Sequence, residues 1–128
     1  MTNVSTIMTD DQSGAELVSF ARQTAQQLVK NNLTRSQIRN IFTEVRKVES
    51  MWEANPIDAM RRLNMLKPKL DYQTARSKQV RVLRDVLTEA INEVEKAPTE
   101  EERDDRFRRF MDLFEAILAY HRAEGGRN

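Results

Sequence analysis

The chain has 128 residues, 39% of them hydrophobic, with only three glycines and three prolines, a composition that can fill a core and argues against a turn-rich β fold. It contains no cysteine, which excludes disulfides and thiolate metal sites and suits a reducing cytoplasm, and no apolar run approaches the roughly 20 residues that cross a bilayer. Its formal net charge of +1 excludes no class of partner, because it averages segments of opposite charge.

The first half of the chain predicts a disordered lead-in followed by two helices. We interpret the polar residues Met1–Gln12 as the lead-in of a single helical domain over residues 13–128. The spacing of apolar residues predicts a first helix over about Ser13–Asn31. A second helix begins at Thr34, which is placed to form a capping box with Gln37. Its predicted buried stripe is Ile38, Ile41, Phe42, Val45, Val48 and Trp52.

A short third helix is predicted after Trp52. Asn55 suits its N-cap and Pro56 its first helical position, where a missing N–H costs nothing. We expect this helix to stop near Leu66, because a proline at position 68 should end or kink it. Its predicted buried residues are Ile57, Met60, Leu63 and Leu66.

Two longer helices complete the predicted fold. One covers about Asp71–Lys96, and the next opens with a capping box formed by Thr99 and Glu102 and closes at Gly125. The predicted buried residues of the former are Val80, Leu83, Val86, Leu87, Ala90, Ile91 and Val94, and those of the latter are Phe107, Phe110, Phe114, Ile117 and Leu118. The short connections favour antiparallel neighbours. The sequence therefore predicts an all-α protein, a compact bundle of about five helices.

Charge is unevenly distributed along the chain. Residues 61–84 contain eight basic side chains and one acidic one, whereas residues 85–105 contain nine acidic side chains and two basic ones. A polyanion responds to the local field rather than to the net charge. The asymmetry also suits stacking of copies, in which the acidic face of one meets the basic face of the next.

Two groups of residues are candidates for contact with nucleic-acid phosphates. Arg35, Arg39 and Arg46 fall on one flank of the second helix, where a solvated helix face is the alternative interpretation. The second group lies in the basic segment and comprises Lys67, Lys69, Tyr72, Arg76, Lys78 and Arg81. Tyr72 could stack on a base or fill the core, and Arg76 could pair with Asp71 instead of phosphate.

The remaining charged and titratable residues have structural explanations. The arginines of the last helix follow acids at i,i+4, as in Glu102–Arg106, Asp104–Arg108 and Asp105–Arg109, so we expect ion pairs there. His121 is the only histidine, and a buried structural role suits it better than general-base catalysis. The sequence has neither transition-metal ligand spacing nor a glycine-rich phosphate loop. We therefore expect no enzymatic activity and no cofactor.

Three segments together resemble one protein family, the small subunit of type III-A CRISPR effector (Csm) complexes. They are residues 33–39 (LTRSQIR), residues 63–76 (LNMLKPKLDYQTAR) and residues 110–121 (FMDLFEAILAYH). Their order and spacing cover residues 30–126. One departure is Ala75, where many members carry glycine before the arginine, and which favours a helical backbone at that point.

The resemblance implies a non-catalytic helical bundle that stacks in several copies inside a prokaryotic antiviral ribonucleoprotein. Its expected partners are guide RNA, target RNA, other copies of itself, and the backbone and large subunits of the complex, without a membrane. By position, the matching segments contain Arg35, Arg39, Lys67, Lys69, Tyr72 and Arg76. Arg46, Lys78 and Arg81 are added from their helical positions alone.

Three other functions are compatible with parts of the sequence. A helical adaptor would use the same charged faces to bind only protein. A helix-turn-helix regulator would use the second and third helices, but Asn55 and Pro56 occupy the connection, and base-reading side chains are sparse on the exposed side. A metal-dependent nuclease would need acidic ligands, and capping and ion pairing already explain the acidic run Glu100–Asp105.

Overall fold

The computed structural model describes residues 3–128, which contain six α-helices and no β-strand. The helices are α1 (Val4–Asp10), α2 (Ala15–Lys30), α3 (Arg35–Trp52), α4 (Pro56–Arg76), α5 (Arg81–Glu95) and α6 (Glu100–Ala123), with a 3₁₀ turn at Lys78–Val80. The all-α prediction is confirmed, but these residues form six helices instead of about five. In the same residues, no helix is long and apolar enough to cross a membrane.

The additional helix, α1, lies where we expected a disordered lead-in, and that prediction is wrong for Val4–Asp10. The Asn3 side chain caps the helix by accepting a hydrogen bond from the Thr6 amide at 2.8 Å. Three apolar residues at helical spacing, Val4, Ile7 and Met8, are buried against the rest of the bundle. Their burial offsets the cost of ordering a polar segment. Met1 and Thr2 lie outside the described residues.

Helix α3 begins and packs largely as its sequence predicts. The capping box between Thr34 and Gln37 is present in both directions. Of the predicted stripe, Ile38, Ile41, Val45 and Val48 are buried, whereas Phe42 and Trp52 are only partly buried. The Trp52 ring stacks on Phe107 with centroids 3.9 Å apart, and its indole N–H donates to Asp104 at 2.8 Å.

Helix α4 continues through Pro68, so the prediction that it stops near Leu66 is wrong. Leu63, Leu66 and Leu70 form one buried stripe, whereas Pro68 lies on the exposed side. The carbonyl that loses its helical partner can therefore be hydrated, and burial of Leu70 compensates for the missing hydrogen bond.

The N-terminal turn of α4 differs from prediction at three positions. Ile57, expected in the core, is 83% exposed. Met60, also expected there, is only partly buried. Asn55 occupies the N-cap position, but its side chain makes no capping hydrogen bond.

The predicted long helix over Asp71–Lys96 is divided at Ser77. Asp71–Arg76 belongs to α4, Ser77 is extended with φ −143° and ψ 103°, and α5 starts after the 3₁₀ turn. The break reverses the chain and lets α5 pack on α4. Every predicted core residue of this segment from Val80 to Val94 is nevertheless buried.

Helix α6 has the expected ends, with one difference. The Thr99 hydroxyl accepts from the Glu102 amide at 3.1 Å, but the Glu102 carboxylate lies 3.7 Å from Arg106 and no return hydrogen bond to Thr99 is described. At the other end, Gly125 has φ +92°, and the Gly126 amide donates to the His121 carbonyl at 2.8 Å. This is the Schellman arrangement. Among the predicted core residues of α6, only Leu118 is partly exposed.

The buried side chains of all six helices form one hydrophobic cluster. Helix α6 packs against α2, α3 and α5, and α4 packs against both α3 and α5. Along α4, Asn64 reaches Glu95, whereas Asp71, further along, reaches Arg84, so α4 and α5 run antiparallel. Ala59, Leu63, Leu66 and Leu70 of α4 are buried in this cluster, and the other side of the helix is a long outer face.

Candidate nucleic-acid interface

The basic segment, residues 61–84, does not form one continuous surface, because the lysines of α4 lie on opposite sides of the helix. Lys67 and Lys69 are two residues apart, which places them on nearly opposite flanks of a helix. The Lys67 ammonium donates to the Asn92 side chain of α5 at 2.8 Å. The Lys69 ammonium lies 3.6 Å from the Glu44 carboxylate of α3. Each of these cations is therefore already engaged within the bundle.

Three predicted residues meet in an open groove between α3 and the C-terminal half of α4. Lys69, Tyr72 and Arg76 line it from α4, and Gln37 and Asn40 lie among its residues on α3. Its volume is about 920 Å³. Amide side chains on the α3 wall and cations on the α4 wall give this groove the chemistry to contact an anionic strand.

Tyr72 does not fill the core, because 64% of its surface is exposed. The Arg76 guanidinium carbon lies 5.8 Å from the centroid of its ring, a cation–π distance. Asp71, the alternative partner for Arg76, is instead 3.7 Å from Arg84. Tyr72 and Arg76 thus form an exposed aromatic–cation pair at the rim of the groove.

Glu44 places one negative charge in the groove. Burial raises the pKa of its carboxyl group, but nearby Lys69, Lys47 and Arg62 outweigh this effect and lower the pKa below its usual value. The Lys47 ammonium lies 3.4 Å away. Glu44 is therefore ionised at neutral pH, where it neutralises cations that would otherwise face a polyanion. The role of Glu44 could not be predicted from the sequence, because its partner Lys69 belongs to another helix.

The arginines of α3 lie on the flank opposite this groove. The Arg46 guanidinium is 3.5 Å from both Glu49 and Glu115, and it also lies over the Phe42 ring. Arg39 is exposed, whereas Arg35 is partly buried and its Nε has no hydrogen-bond partner. The predicted arginine stripe exists, but it is not continuous with the residues of α4.

The junction between α4 and α5 carries a group of unpaired cations. Arg76, Lys78 and Arg81 are exposed, and within residues 3–128 none of the three lies within ion-pair distance of a carboxylate. Arg84, one turn further, differs because it pairs with Asp85 at 3.0 Å as well as with Asp71. We name Arg76, Lys78 and Arg81 the junction cations.

The arginines of α6 follow the pairing that their spacing predicts only in part. Two of the three expected pairs are present: Arg106 lies 3.7 Å from Glu102, and Arg109 lies 3.2 Å from Asp105. The pair Asp104–Arg108 does not appear among the described ion pairs. Arg106 and Arg109 also donate to backbone carbonyls, at 2.8 and 3.1 Å. These contacts with residues distant in sequence could not be read from local spacing.

His121 is buried, and its Nε2 lies 2.7 Å from the Leu33 carbonyl oxygen. This hydrogen bond ties the end of α6 to the connection between α2 and α3. The described part of the chain contains no group of three or more acidic or histidine side chains that could hold a metal ion. The predicted phosphate-contacting residues lie on α3, on α4, in the 3₁₀ turn and at the start of α5.

These features define a small all-helical protein with charged outer surfaces. A family model described as Csm2 Type III-A matches residues 11–127, and the chain belongs to this family. It is accordingly a small subunit of the type III-A CRISPR (Csm) complex. Comparisons with curated proteins and with solved structures gave no significant match.

Proposed function

We propose that this subunit stacks in several copies and contacts the guide RNA–target RNA duplex through its backbone phosphates, without catalysing a reaction. The complex would act in antiviral defence in the cytoplasm of a prokaryotic cell, with the backbone and large subunits as further partners. The single observation that carries the RNA contact is the presence of three unpaired, exposed junction cations beside the exposed ring of Tyr72.

Contact with phosphates follows from the type of residue at the junction. Cations that lack carboxylate partners gain most from a nearby phosphate, because no existing ion pair must be broken. Phosphate contacts position a protein on a duplex but carry no sequence information. Guide pairing would supply the sequence specificity, so a subunit of this kind needs only the duplex backbone.

The absence of catalysis is supported by how the only histidine is used. His121 is committed to a buried hydrogen bond with the Leu33 carbonyl, far in sequence from the junction cations. Csm2 is a family of structural small subunits of the Csm complex. We infer that target cleavage belongs to other subunits.

The test is a salt titration of RNA binding by wild type and two triple-alanine variants. The test variant carries Arg76→Ala, Lys78→Ala and Arg81→Ala. The control variant carries an equal loss of charge at the exposed positions Lys30→Ala, Arg108→Ala and Arg122→Ala.

Each phosphate contact contributes roughly 0.7–0.9 to the slope of log affinity against log salt. The slope of the test variant should therefore fall by about 2 to 3 relative to wild type. The slope of the control variant should stay close to wild type. Equal slopes for the two variants would contradict RNA contact at the junction.

An adaptor without direct RNA contact is the second candidate function. Ion pairing of Lys69 with Glu44 and of Arg46 with Glu115 favours it, because these cations are partly neutralised. The exposed apolar side chains of Ile57 and Met65 also favour protein contact. If the wild-type subunit enters the complex but shows no RNA retention in a filter-binding assay, the adaptor is the better description.

A further inference from the structure

Tyr72 presents a flat aromatic ring to solvent beside unpaired cations. The ring is 64% exposed and does not belong to the hydrophobic cluster of the bundle. The Arg76 guanidinium, one turn later on α4, lies over the ring and restricts the orientations it can take. An exposed aromatic side chain beside basic groups is the arrangement on which unpaired nucleic-acid bases stack.

Two side-chain amides in the same groove have unused hydrogen-bonding groups. Asn40 of α3 and Gln73 of α4 both line the groove. Within residues 3–128, neither of these side chains makes a hydrogen bond. A carboxamide presents a donor and an acceptor side by side, the pattern that matches the edge of adenine. Phosphate oxygens only accept, so they would use the donor alone.

Glu44 makes the interior of the groove unfavourable for a phosphate but not for a base. Its carboxylate lines the groove beside Lys69. A carboxylate repels a phosphate, whereas a nucleobase is uncharged. It can also accept a hydrogen bond from the exocyclic amino group of adenine, a group that uracil lacks. The groove is therefore suited to a base with an amino group.

We propose that the groove between α3 and α4 binds one unpaired RNA base, with adenine preferred over uracil. The base stacks on the Tyr72 ring, and the amides of Asn40 and Gln73 bind its edge. The phosphates next to that nucleotide contact the junction cations, and for these phosphates alone the inference rests on the proposed function. A base within a duplex is excluded, because its edge is paired and its faces are covered by its neighbours.

The first test is an NMR titration of the full chain with adenosine monophosphate, uridine monophosphate and ribose phosphate. These probes carry the same phosphate and differ in the base. The side-chain amide resonances of Asn40 and Gln73 should shift with adenosine monophosphate, less with uridine monophosphate, and not with ribose phosphate. Tyr72→Ala should abolish the shifts, whereas Tyr72→Phe should retain them because it keeps the ring. Equal responses to adenosine monophosphate and ribose phosphate, or no response to either, would overturn the proposal.

The second test separates base contact from phosphate contact. Fluorescence anisotropy measures binding of an adenine strand, an abasic strand of equal length and a fully paired duplex. Tyr72→Ala should weaken binding of the adenine strand at least about fivefold more than binding of the abasic strand, because stacking on one aromatic residue contributes that much or more. Val18→Ala, at a 47% exposed position on α2, is the matched control and should change neither.

The triple-alanine variant of the junction cations distinguishes this inference from the proposed function. If that variant lowers the salt dependence of binding but wild type binds the adenine and abasic strands equally, the base site is refuted and phosphate contact stands. If the adenine preference is present and depends on Tyr72 but the salt dependence is unchanged by that variant, the base site stands without the junction contact. Equal weakening of all three RNAs by Tyr72→Ala, with unchanged helicity by circular dichroism, would also exclude a base site.

Discussion

Removal of the Glu44 charge should strengthen RNA binding if the groove between α3 and α4 faces RNA. Glu44 lies 3.6 Å from the Lys69 ammonium and 3.4 Å from that of Lys47, so it neutralises part of the groove. The substitution Glu44→Gln keeps the size of the side chain and releases both cations. Few other single changes raise the positive charge of this surface without altering a predicted contact residue.

The magnitude follows from Coulomb's law. A carboxylate about 6 Å from a phosphate in a medium close to water repels it by about 0.7 kcal/mol. Removal of one such charge corresponds to about a threefold gain in affinity. The slope of log affinity against log salt should also steepen, by up to about 0.9 if one more phosphate is neutralised.

The assay is fluorescence anisotropy of a labelled RNA duplex with wild type, Glu44→Gln and Glu89→Gln at several salt concentrations. Glu89 is an exposed carboxylate of α5 that does not line the groove, so it controls for the change in net charge. If Glu44→Gln binds RNA no more tightly than Glu89→Gln, the groove does not face RNA.

Three further predictions concern stability. The pKa of Glu44 is lowered from its ordinary value of 4.5, so its charge stabilises the fold above that pH. The difference in urea stability between wild type and Glu44→Gln should therefore shrink as pH falls through the lowered pKa. A difference that stays constant with pH would contradict this. Gly126→Ala should destabilise the folded protein by about 2 to 5 kcal/mol, because an added Cβ would overlap the imidazole of His121 and lie 2.7 Å from the His121 carbonyl oxygen. Urea unfolding measures this loss of stability. The loss should be smaller in a His121→Ala background. Pro68→Ala should raise the melting temperature, because it restores a backbone N–H to the interior of α4 and removes the clash of the proline ring with the preceding turn, together worth up to about 3 kcal/mol. A lower melting temperature would show that the helix is adapted to the proline.

The elements that depend on local spacing were predictable from the sequence. The capping box of Thr34 and Gln37, the helix end at Gly125 and the buried stripe from Val80 to Val94 all follow from side chains within a few residues of each other. A helix repeats every 3.6 residues, so its buried face and its ends are determined by residues close together in the sequence. The resemblance to the Csm small subunit was equally readable from short segments, and the family match confirms it.

The candidate site was predictable in composition but not in arrangement. The sequence indicates a basic middle segment, but it cannot show that Lys67 turns to Asn92 while Lys69 turns to Glu44. These partners lie more than twenty residues away along the chain. Whether a cation is free or paired depends on which helices become neighbours, so only the tertiary structure separates the junction cations from the rest.

Tertiary packing also decided three features against the local signals. Val4–Asp10 is helical because the bundle offers its apolar side chains a place to be buried. Helix α4 passes through Pro68 because Leu70 is buried beyond it. Ile57 is exposed because no helix covers that side of α4. In each case the packing of helices that are distant in sequence outweighs the structure that the local sequence favours. Which side chains are buried is decided only once the helices have packed.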